Sequence, residues 1–213
     1  MPTKNAIVAI DGPAGAGKST VAKRVAQKLD FLYIDTGAMY RAFTLKVKRR
    51  SLDLSDETAV CALMKNTTIT LTRDHDTLRV FLDGEDVSEE IRKPYISDAV
   101  STIAKIKGVR ALMTNLQREF AKNNNAVLEG RDIGTVVFPN APYKFFIDAD
   151  FKERVSRRHK EMKEKKETIA LAHVKRDLSS RDKIDSTREC APLKKAHDAV
   201  YIDTTNLSIE EVV

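Results

Sequence analysis

Residues 12–19 of this chain read GPAGAGKS, a glycine-rich segment that is characteristic of one type of βα unit. It matches the pattern GxxxxGK[ST], in which the two glycines, the lysine and the hydroxyl-bearing residue are the defined positions. The apolar run AIVAI precedes it at residues 6–10, and residues 18–29 follow with apolar side chains at helical spacing. A buried strand, a glycine-rich loop and a helix in this order predict a loop that cradles phosphate groups.

The chemistry of phosphate binding requires these residue types. Backbone N–H groups must converge on phosphate oxygens, so side chains have to be absent at the glycine positions. Lys18 can reach the β- and γ-phosphates of a nucleotide, and the Ser19 hydroxyl can bind Mg²⁺ at the positive end of the helix. The alternative is a glycine-rich turn that binds nothing. We predict that ATP is contacted by the whole motif, which comprises Gly12, Pro13, Ala14, Gly15, Ala16, Gly17, Lys18, Ser19 and Thr20.

A phosphate-binding loop alone leaves several classes of protein open. A GTPase switch needs a DxxG segment and an NKxD guanine reader, and the sequence contains neither. An ATPase motor needs a longer chain with additional sensor segments. A small kinase, which brings together two phosphate-bearing ligands, fits a chain of 213 residues.

The order of elements along the chain predicts an α/β fold. Short apolar strands recur after the first βα unit, at residues 31–34, 126–129, 144–148 and 198–203. Residues 67–72 and 78–82 instead alternate apolar and polar side chains, as an antiparallel hairpin does. We therefore predict a core at 1–62 and 105–213 that includes a lid near 150–185, with an inserted subdomain at 63–104.

A phosphotransfer enzyme needs a second site that holds the acceptor in line with the γ-phosphate. Thr36 and Arg41 follow the second predicted strand and could form an anion clamp with a hydroxyl beside it. The alternative is a helix N-cap at Thr36 and a surface Arg41. Arg131 and Asp132 follow the strand at 126–129, and the carboxyl ends of parallel strands line the ligand crevice. The alternative there is an Arg–Asp turn on the surface.

Further arginines lie in the charged, helical stretch at residues 151–183. Arg181, Asp185 and Arg188 are spaced i, i+4 and i+7, which predicts that they share one helix face. Arg157 lies on a preceding helix between Arg154 and Arg158. Two arginine-bearing helices resemble a lid that neutralises triphosphate charge. The alternative is a common surface salt bridge.

Composition indicates the class of ligand and the cellular compartment to expect for the protein. The chain has 37 basic and 31 acidic residues, giving a net charge of +6, and it lacks the interleaved aromatic residues of an RNA platform. We expect small anionic ligands and no nucleic acid; an RNA-binding or regulatory protein is the alternative. The sequence shows no membrane-spanning stretch and no signal peptide. Two separated cysteines fit a reducing cytoplasm, and no apolar stripe stands out, so we expect a cytoplasmic monomer without membrane contacts.

Five separated motifs together resemble the bacterial-type cytidylate kinase family of P-loop nucleoside monophosphate kinases. They read IDGPAGAGKST, IDTGAMYR, DGEDVSEEIR, EGRDIGTVVFP and RDKIDSTRECAPL, and the resemblance extends from Ala6 to Val213. It implies a phosphotransferase that moves the γ-phosphate of ATP to CMP or dCMP with Mg²⁺, giving CDP or dCDP. It also implies a five-stranded parallel sheet flanked by helices, with a small antiparallel subdomain that binds the monophosphate.

The resemblance also assigns roles by position. It implies that the acceptor phosphate is held by Thr36, Arg41 and Arg131, that cytosine is read by Ser101, Arg110 and Asp132, and that the ribose and phosphate end meets Asp185 and Arg188. Spacing alone does not single out Ser101 or Arg110. We further predict Lys18, Arg131 and Arg181 as catalytic cations and Arg157 as an ATP contact. Two positions depart from the family, with Thr36 where serine is frequent and Glu129 where aspartate is usual.

Overall fold

The computed structural model describes residues 5–74, 77–164 and 170–213. The chain forms two compact units, one built from the residues up to Tyr33 together with Asn123–Val213, and one from Ile34–Lys122. The strands are β1 (Ile7–Asp11), β2 (Leu32–Asp35), β3 (Ile69–Asp74), β4 (Thr77–Leu82), β5 (Glu85–Asp86), β6 (Ala126–Gly130), β7 (Tyr143–Asp148) and β8 (Val200–Asp203). The helices are α1 (Lys18–Leu29), α2 (Thr36–Arg49), α3 (Glu57–Lys65), α4 (Pro94–Ile103), α5 (Lys107–Ala121), α6 (Phe151–Glu164), α7 (Leu171–Thr187) and α8 (Ile209–Val212).

A five-stranded sheet with the order β2-β6-β1-β7-β8 confirms the predicted α/β fold. Strand β1 pairs in parallel with β6 on one side and with β7 on the other, and β8 extends the sheet from β7. Every residue of β1 and of β6 is buried, which explains their continuous apolar sequences without polar alternation. The carboxyl ends of β1 and β6 lie together because Asp11 is in register with Gly130.

Helix α1 covers this sheet with the apolar face that the sequence predicts. Val21, Ala22 and Ala26 are buried in one cluster with Val8 and Val127 of the strands below. Their spacing by one, four and five residues places them on the same side of a helix. This packing fixes α1 against the sheet, and with it Lys18, the first residue of the helix.

The second unit carries the predicted antiparallel sheet, with the strand order β3-β4-β5. Ile69 of β3 lies opposite Leu82 of β4, and both side chains are buried. Four helices, α2 to α5, belong to the same unit, and α2 packs against α4 and β4. The predicted subdomain boundaries at residues 63 and 104 stay a prediction.

Two local features of the structure were not predicted from the sequence. Helix α3 was not predicted, although Asp56 caps its first turn by accepting a hydrogen bond from Ala59 N at 2.9 Å. Residues Ile133–Val137 form a π-helical turn that the β-branched sequence does not indicate. After the hairpin, the two-residue strand β5 is followed by a 3₁₀ turn at Glu90–Arg92. The charged stretch at 151–183 contains the two predicted helices, α6 and α7, and residues 165–169 lie outside the described part of the chain.

Candidate active site

The loop between β1 and α1 adopts a backbone that only glycine accommodates. Gly15 and Gly17 have φ angles of +78° and +88°, in the left-handed region. A Cβ atom on Gly12, whose φ is +152°, would lie 1.9 Å from the Ile147 carbonyl oxygen. Glycine therefore permits both the left-handed turns of the loop and its close approach to β7 and α6, which give the tightly curved backbone of a phosphate cradle.

The N-terminus of α1 is free to interact with an anion. Gly17 is its N-cap residue, no side chain caps the helix among the described residues, and its first turn contains no acidic residue. Unpaired N–H groups and the helix dipole give this end a positive potential. By contrast, the carboxylate of Asp35 caps α2 and accepts a hydrogen bond from Ala38 N at 2.7 Å.

The ammonium group of Lys18 contacts the loop, and its pKa is shifted from the ordinary value for lysine. Its ammonium group donates a hydrogen bond to the Pro13 carbonyl oxygen at 2.6 Å, and the residue is buried. Burial and, to a smaller extent, the positive charge of Arg131 lower the pKa of Lys18 to about 7, against the opposing effects of Glu129 and Asp11. An anionic phosphate beside this amine would favour its charged form.

Asp11 is a buried carboxylate at the end of β1, and its position in the sequence motif does not predict its role. Its two oxygens accept hydrogen bonds from Ile133 N at 2.8 Å and Gly134 N at 2.7 Å. Burial raises the pKa of Asp11 to about 6, although both hydrogen bonds favour the ionised form. The sequence feature that could have predicted a functional role for Asp11 is its position as the acidic last residue of an otherwise apolar strand.

Four of the predicted substrate residues form one charged cluster in the first unit. Arg131 Nε donates to Asp185 Oδ2 at 2.8 Å, and Arg188 Nη1 donates to Asp185 Oδ1 at 3.4 Å. Arg188 Nη2 lies 3.8 Å from Asp132 Oδ1. Burial alone would raise the pKa of Asp185, but Arg131 and Arg188 outweigh burial and lower it. The guanidinium groups of the cluster therefore stabilise the ionised carboxylate of Asp185.

The position of Arg188 differs from the helical spacing argument. Helix α7 ends at Thr187, and Arg188 is its extended C-cap residue rather than a member of the helix face. The guanidinium of Arg188 nevertheless contacts Asp185 in the last turn of α7. Its Nε also donates a hydrogen bond to the Ala191 carbonyl oxygen at 2.8 Å, which fixes the side chain against the turn that follows the helix. Ala191 adopts a left-handed φ of +51° in this turn.

Glu129, which departs from the family pattern, is held by a tyrosine. The Tyr33 hydroxyl donates a hydrogen bond to Glu129 Oε1 at 2.6 Å. Glu129 is buried at the carboxyl end of β6, two residues before Arg131. The longer side chain is therefore anchored within the first unit.

The arginines of α6 have three different environments. Arg154 is buried, donates to the Ala14 carbonyl at 3.0 Å and pairs with Asp182, so it supports the phosphate loop from behind. Arg157 donates to Thr204 Oγ1 at 3.0 Å and lies near Gly17. Arg158 forms a salt bridge with Glu161, one helical turn away on α6.

Arg181 lies on α7, partly buried, and acts on Asp185 electrostatically. Its predicted part in catalysis stays a prediction. Ser19 and Thr20 are exposed in the first turn of α1, beside the loop.

In the second unit, Thr36 and Arg41 lie at the start of α2, close to Asp35. Asp35, not Thr36, is the N-cap residue of this helix, and Thr36 is buried in the first turn. Arg41 Nη2 donates to Asp35 Oδ2 at 3.1 Å, and Arg92 donates to the same oxygen at 3.2 Å. Burial would raise the pKa of Asp35, but Arg41 and Arg92 lower it instead.

Ser101 and Arg110 lie on the consecutive helices α4 and α5, and both are buried. Arg110 Nη1 donates to the Ala104 carbonyl oxygen at 3.0 Å, and its guanidinium lies 5.6 Å from the centre of the Tyr40 ring. A buried guanidinium held in this way presents its N–H groups in a fixed direction. The predicted role of both residues in reading cytosine stays a prediction.

Within the described residues, no group of three or more His, Cys, Asp or Glu side chains is arranged to hold a metal ion. Mg²⁺ at a phosphoryl-transfer site is bound by the substrate phosphates and by only one or two protein oxygens. The exposed hydroxyl of Ser19 could provide such an oxygen. The described residues also include no helix that is both long and apolar enough to cross a membrane.

A parallel sheet with a glycine-rich phosphate loop between β1 and α1 defines the class of P-loop proteins. The family model for cytidylate kinase matches residues 8–213. The chain belongs to the cytidylate kinase family, whose members are nucleoside monophosphate kinases.

Curated relatives support this assignment over almost the full length. The chain is 52% identical to the cytidylate kinase of Caldanaerobacter subterraneus subsp. tengcongensis, covering 97% of this chain and 90% of the relative. It is 52% identical to the cytidylate kinase of Geobacillus sp. strain WCH70, over 98% and 93%, and 50% identical to that of Clostridioides difficile, over 98% and 95%.

A solved structure supports the fold alone. An uncharacterised protein from Eubacterium ventriosum superposes with a TM-score of 0.50 at 14% identity, covering 98% of this chain and 94% of that one.

Proposed function

We propose that the protein transfers the γ-phosphate of ATP to CMP or dCMP, giving CDP or dCDP and ADP. Its membership of the cytidylate kinase family supports the choice of substrates. The single observation that carries the chemistry is the glycine loop with Lys18 buried over it and the uncapped end of α1 beside it. Together these groups form a positive cradle suited to the phosphates of ATP.

Transfer proceeds directly in line, without a covalent enzyme intermediate. The acceptor phosphate is already an anionic nucleophile near neutral pH, so no strong general base is required. The residues contribute position and charge neutralisation, which are the main sources of catalysis in phosphoryl transfer. Lys18 neutralises the donor phosphates, Arg131 is held by Asp185 for the transferring group, and Arg181 adds positive charge nearby.

Mg²⁺ would be bound by the phosphates and by the Ser19 hydroxyl, and it would neutralise charge on the donor oxygens. Glu129 is buried near Lys18 and is anchored by Tyr33, so it can hold a water or orient a ligand without moving. The remaining loop residues from Gly12 to Thr20 surround the phosphates with their backbone N–H groups.

Asp132 provides the discrimination between cytosine and uracil. Its carboxylate is buried, and it can accept a hydrogen bond from the N4 amino group of cytosine. Uracil has an oxygen acceptor at that position, so a buried carboxylate would face it without a proton between them. Sites built on buried polar groups reject mismatched partners strongly because those groups stay unsatisfied.

The residues of the second unit are assigned to the acceptor nucleotide. Thr36 and Arg41 hold its phosphate at the start of α2, and Ser101 and Arg110 contact its base. In the first unit, Asp185 and Arg188 meet the ribose and phosphate end, and Arg157 contacts ATP. We further propose that the enzyme acts as a cytoplasmic monomer on small nucleotides, without nucleic acid or membrane partners.

A panel of acceptors tests the proposal. The purified protein is incubated with ATP, Mg²⁺ and each of CMP, dCMP, UMP, AMP and shikimate, and ADP release is measured. We expect rapid release with CMP and dCMP. Lys18→Ala should reduce turnover by about 10²–10³-fold, because one electrostatic contact to the transferring group is lost. Lys28→Ala, at the far end of α1, is the matched control and should retain activity.

Three outcomes would contradict the proposal. Preference for another acceptor would identify a different small kinase. Normal turnover of Lys18→Ala would remove the loop from the mechanism. No ADP release with any acceptor, together with salt-sensitive RNA binding, would indicate the RNA-binding alternative.

A further inference from the structure

We propose that Asp11 and Lys144 are positioning residues for acceptor specificity. Together they hold the turn at Ile133–Val137 and thereby orient Asp132 toward the base of the acceptor nucleotide. The inference deepens the proposed function and rests on it. Both side chains are buried charges on strands of the five-stranded sheet, and neither takes part in the phosphoryl transfer proposed above. The two residues and the turn all belong to the first unit.

The first link joins Asp11 to the backbone of the turn. Its Oδ1 accepts a hydrogen bond from Ile133 N at 2.8 Å, and its Oδ2 accepts one from Gly134 N at 2.7 Å. Asp11 is the last residue of β1 and is in register with Gly130 of β6, so it reaches the turn from the neighbouring strand. Since the two donors directly follow Asp132 in the chain, this carboxylate fixes the backbone immediately after Asp132.

This arrangement supplies the cap of the turn from another strand. Asp132 is the N-cap residue of the turn, a position at which aspartate ordinarily accepts hydrogen bonds from its own helix. Within the described residues its side chain makes no such bond, and Asp11 accepts them instead. The Asp132 carboxylate lies 3.8 Å from Arg188 Nη2. With the cap supplied by Asp11, Asp132 can be directed toward a ligand instead of toward its own backbone.

The second link is the side chain of Lys144 in β7, which is 4% exposed. Its methylene chain packs against Gly134, where an added Cβ atom would lie 3.2 Å from Lys144 Cδ and 3.4 Å from Asp11 Oδ2. Its ammonium group donates hydrogen bonds to the Pro139 carbonyl oxygen, just after the turn, and to Asp198 Oδ2 at 2.8 Å. Gly134 thus lies between the two buried charges, and the turn is held near its start and near its end.

The position of the turn affects the choice of base more than the transfer of phosphate. Arg131, on the other side of Asp132, has its own anchor, because its Nε donates to Asp185 Oδ2 at 2.8 Å. Loosening of the turn should therefore displace Asp132 more than Arg131. A misplacement of about 1 Å at a ligand-positioning group can cost about 100-fold in rate.

The ratio of kcat/KM with CMP to kcat/KM with UMP measures this positioning. Both values are determined from ADP release with ATP and Mg²⁺. Asp11→Asn keeps the size of the side chain but replaces one acceptor oxygen with an NH₂ group, which then faces a backbone N–H donor. We expect this variant to lower the ratio at least about tenfold, the scale of one base contact. Its KM for ATP should stay near that of the unmodified enzyme.

Lys144→Met tests the same turn from its other side. Methionine keeps the methylene packing against Gly134 but removes the hydrogen bonds of the ammonium group to Pro139 and Asp198. We expect the CMP-to-UMP ratio to fall in this variant as well. Urea unfolding checks that each variant is folded, and if Asp11→Asn does not fold, Lys144→Met decides the question.

Lys46→Met is the matched control. Lys46 is also a buried lysine that donates to a carbonyl oxygen, that of Asn66, and pairs with an aspartate, Asp83. It belongs to the second unit and has no link to the turn among the described contacts. Its replacement should lower stability without changing the CMP-to-UMP ratio.

Two results would overturn the inference. Equal losses of kcat/KM with CMP and with UMP would show that Asp11 and Lys144 support only the fold. Unchanged kinetics with both acceptors in a folded variant would show that they do not set the position of Asp132. Failure of the proposed function is distinguishable from both, since the unmodified enzyme would then show no preference for CMP in the acceptor panel.

Discussion

Lys18 and Asp11 show how burial at the end of β1 prepares single groups for chemistry. The pKa of Lys18 is lowered to about 7 and that of Asp11 is raised to about 6, in both cases chiefly because burial disfavours the charged form. Perturbed groups of this kind concentrate at functional sites. The shifted pKa of Lys18 predicts proton uptake when ATP binds, and that of Asp11 predicts a pH-dependent free energy of unfolding.

ATP binding should take up a proton at Lys18. At pH 8 an amine with a pKa of about 7 is mostly neutral, and phosphate oxygens beside it favour the charged form. Calorimetric titration with ATP in buffers of different ionisation enthalpy measures this uptake. We expect more proton uptake at pH 8 than at pH 6, and a smaller uptake in Lys18→Met. Identical uptake in this variant would exclude Lys18 as the titrating group.

Asp11 should make the protein less stable as pH rises from about 4 to about 6. Its pKa is higher in the folded chain than in the unfolded one, so the folded state binds more protons in that interval. Stability from this group is complete below pH 4 and is lost as pH passes the folded pKa. Urea unfolding of the natural protein and of Asp11→Asn at pH 4.5 and 7 tests this. The stability difference between the two proteins should change with pH, and a constant difference would contradict the assignment.

At the scale of elements, the phosphate loop is fixed by close backbone contacts on both sides. The Gly12 position faces the backbone of Ile147 in β7, and Ala14 is contacted by Arg154 of α6 and by Asp182 of α7. The loop therefore has few ways to relax when a side chain is added. Its shape depends on three neighbouring elements as well as on its own glycines.

Gly12→Ala should destabilise the fold by more than about 3 kcal/mol, because a Cβ atom would overlap the Ile147 carbonyl and the backbone would have to shift. Gly84→Ala is the control, since Gly84 also has a positive φ of +88° but no atom within 4 Å of the added Cβ. That change should cost about 1 kcal/mol, from backbone strain alone. Urea denaturation measures both values, and equal losses would show that steric overlap plays no part.

At the scale of the whole molecule, the net charge of +6 suits the binding of two polyanionic nucleotides. Helix α6 has few buried side chains apart from Arg154, Val155 and Met162. Segments with sparse apolar packing open at low free-energy cost. Ligands that bridge charged side chains should therefore change the local stability of such segments.

Hydrogen exchange should report this change. We expect amides within 151–164, 170–185 and 63–104 to exchange more slowly when CMP and a non-hydrolysable ATP analogue are both bound. Each nucleotide alone should protect less than the pair, because water exclusion around the transferred phosphate requires both. The amides of the buried strand β1 serve as an internal reference. Equal exchange with and without ligands would indicate a preformed, rigid site.

The local parts of this protein could be predicted from its sequence. The phosphate loop, α1 and the buried strand β1 are contiguous, and their glycine positions and apolar spacing act within one or two turns of chain. The alternation at 67–82 likewise identified the antiparallel hairpin. Helix α3 could also have been predicted, since Asp56 precedes apolar residues at helical spacing.

Contacts between distant residues were decided by the tertiary structure. Arg131 meets Asp185 across 54 positions, Asp11 meets the turn at Ile133 across 122, and Arg92 meets Asp35 across 57. No periodicity links such partners, because they are brought together only when strands and helices pack. The same packing excludes water, and this exclusion shifts the pKa values of Lys18 and Asp11. The sequence by itself therefore determined the phosphate loop and the chemical types at the site, while packing decided their partners and their charges.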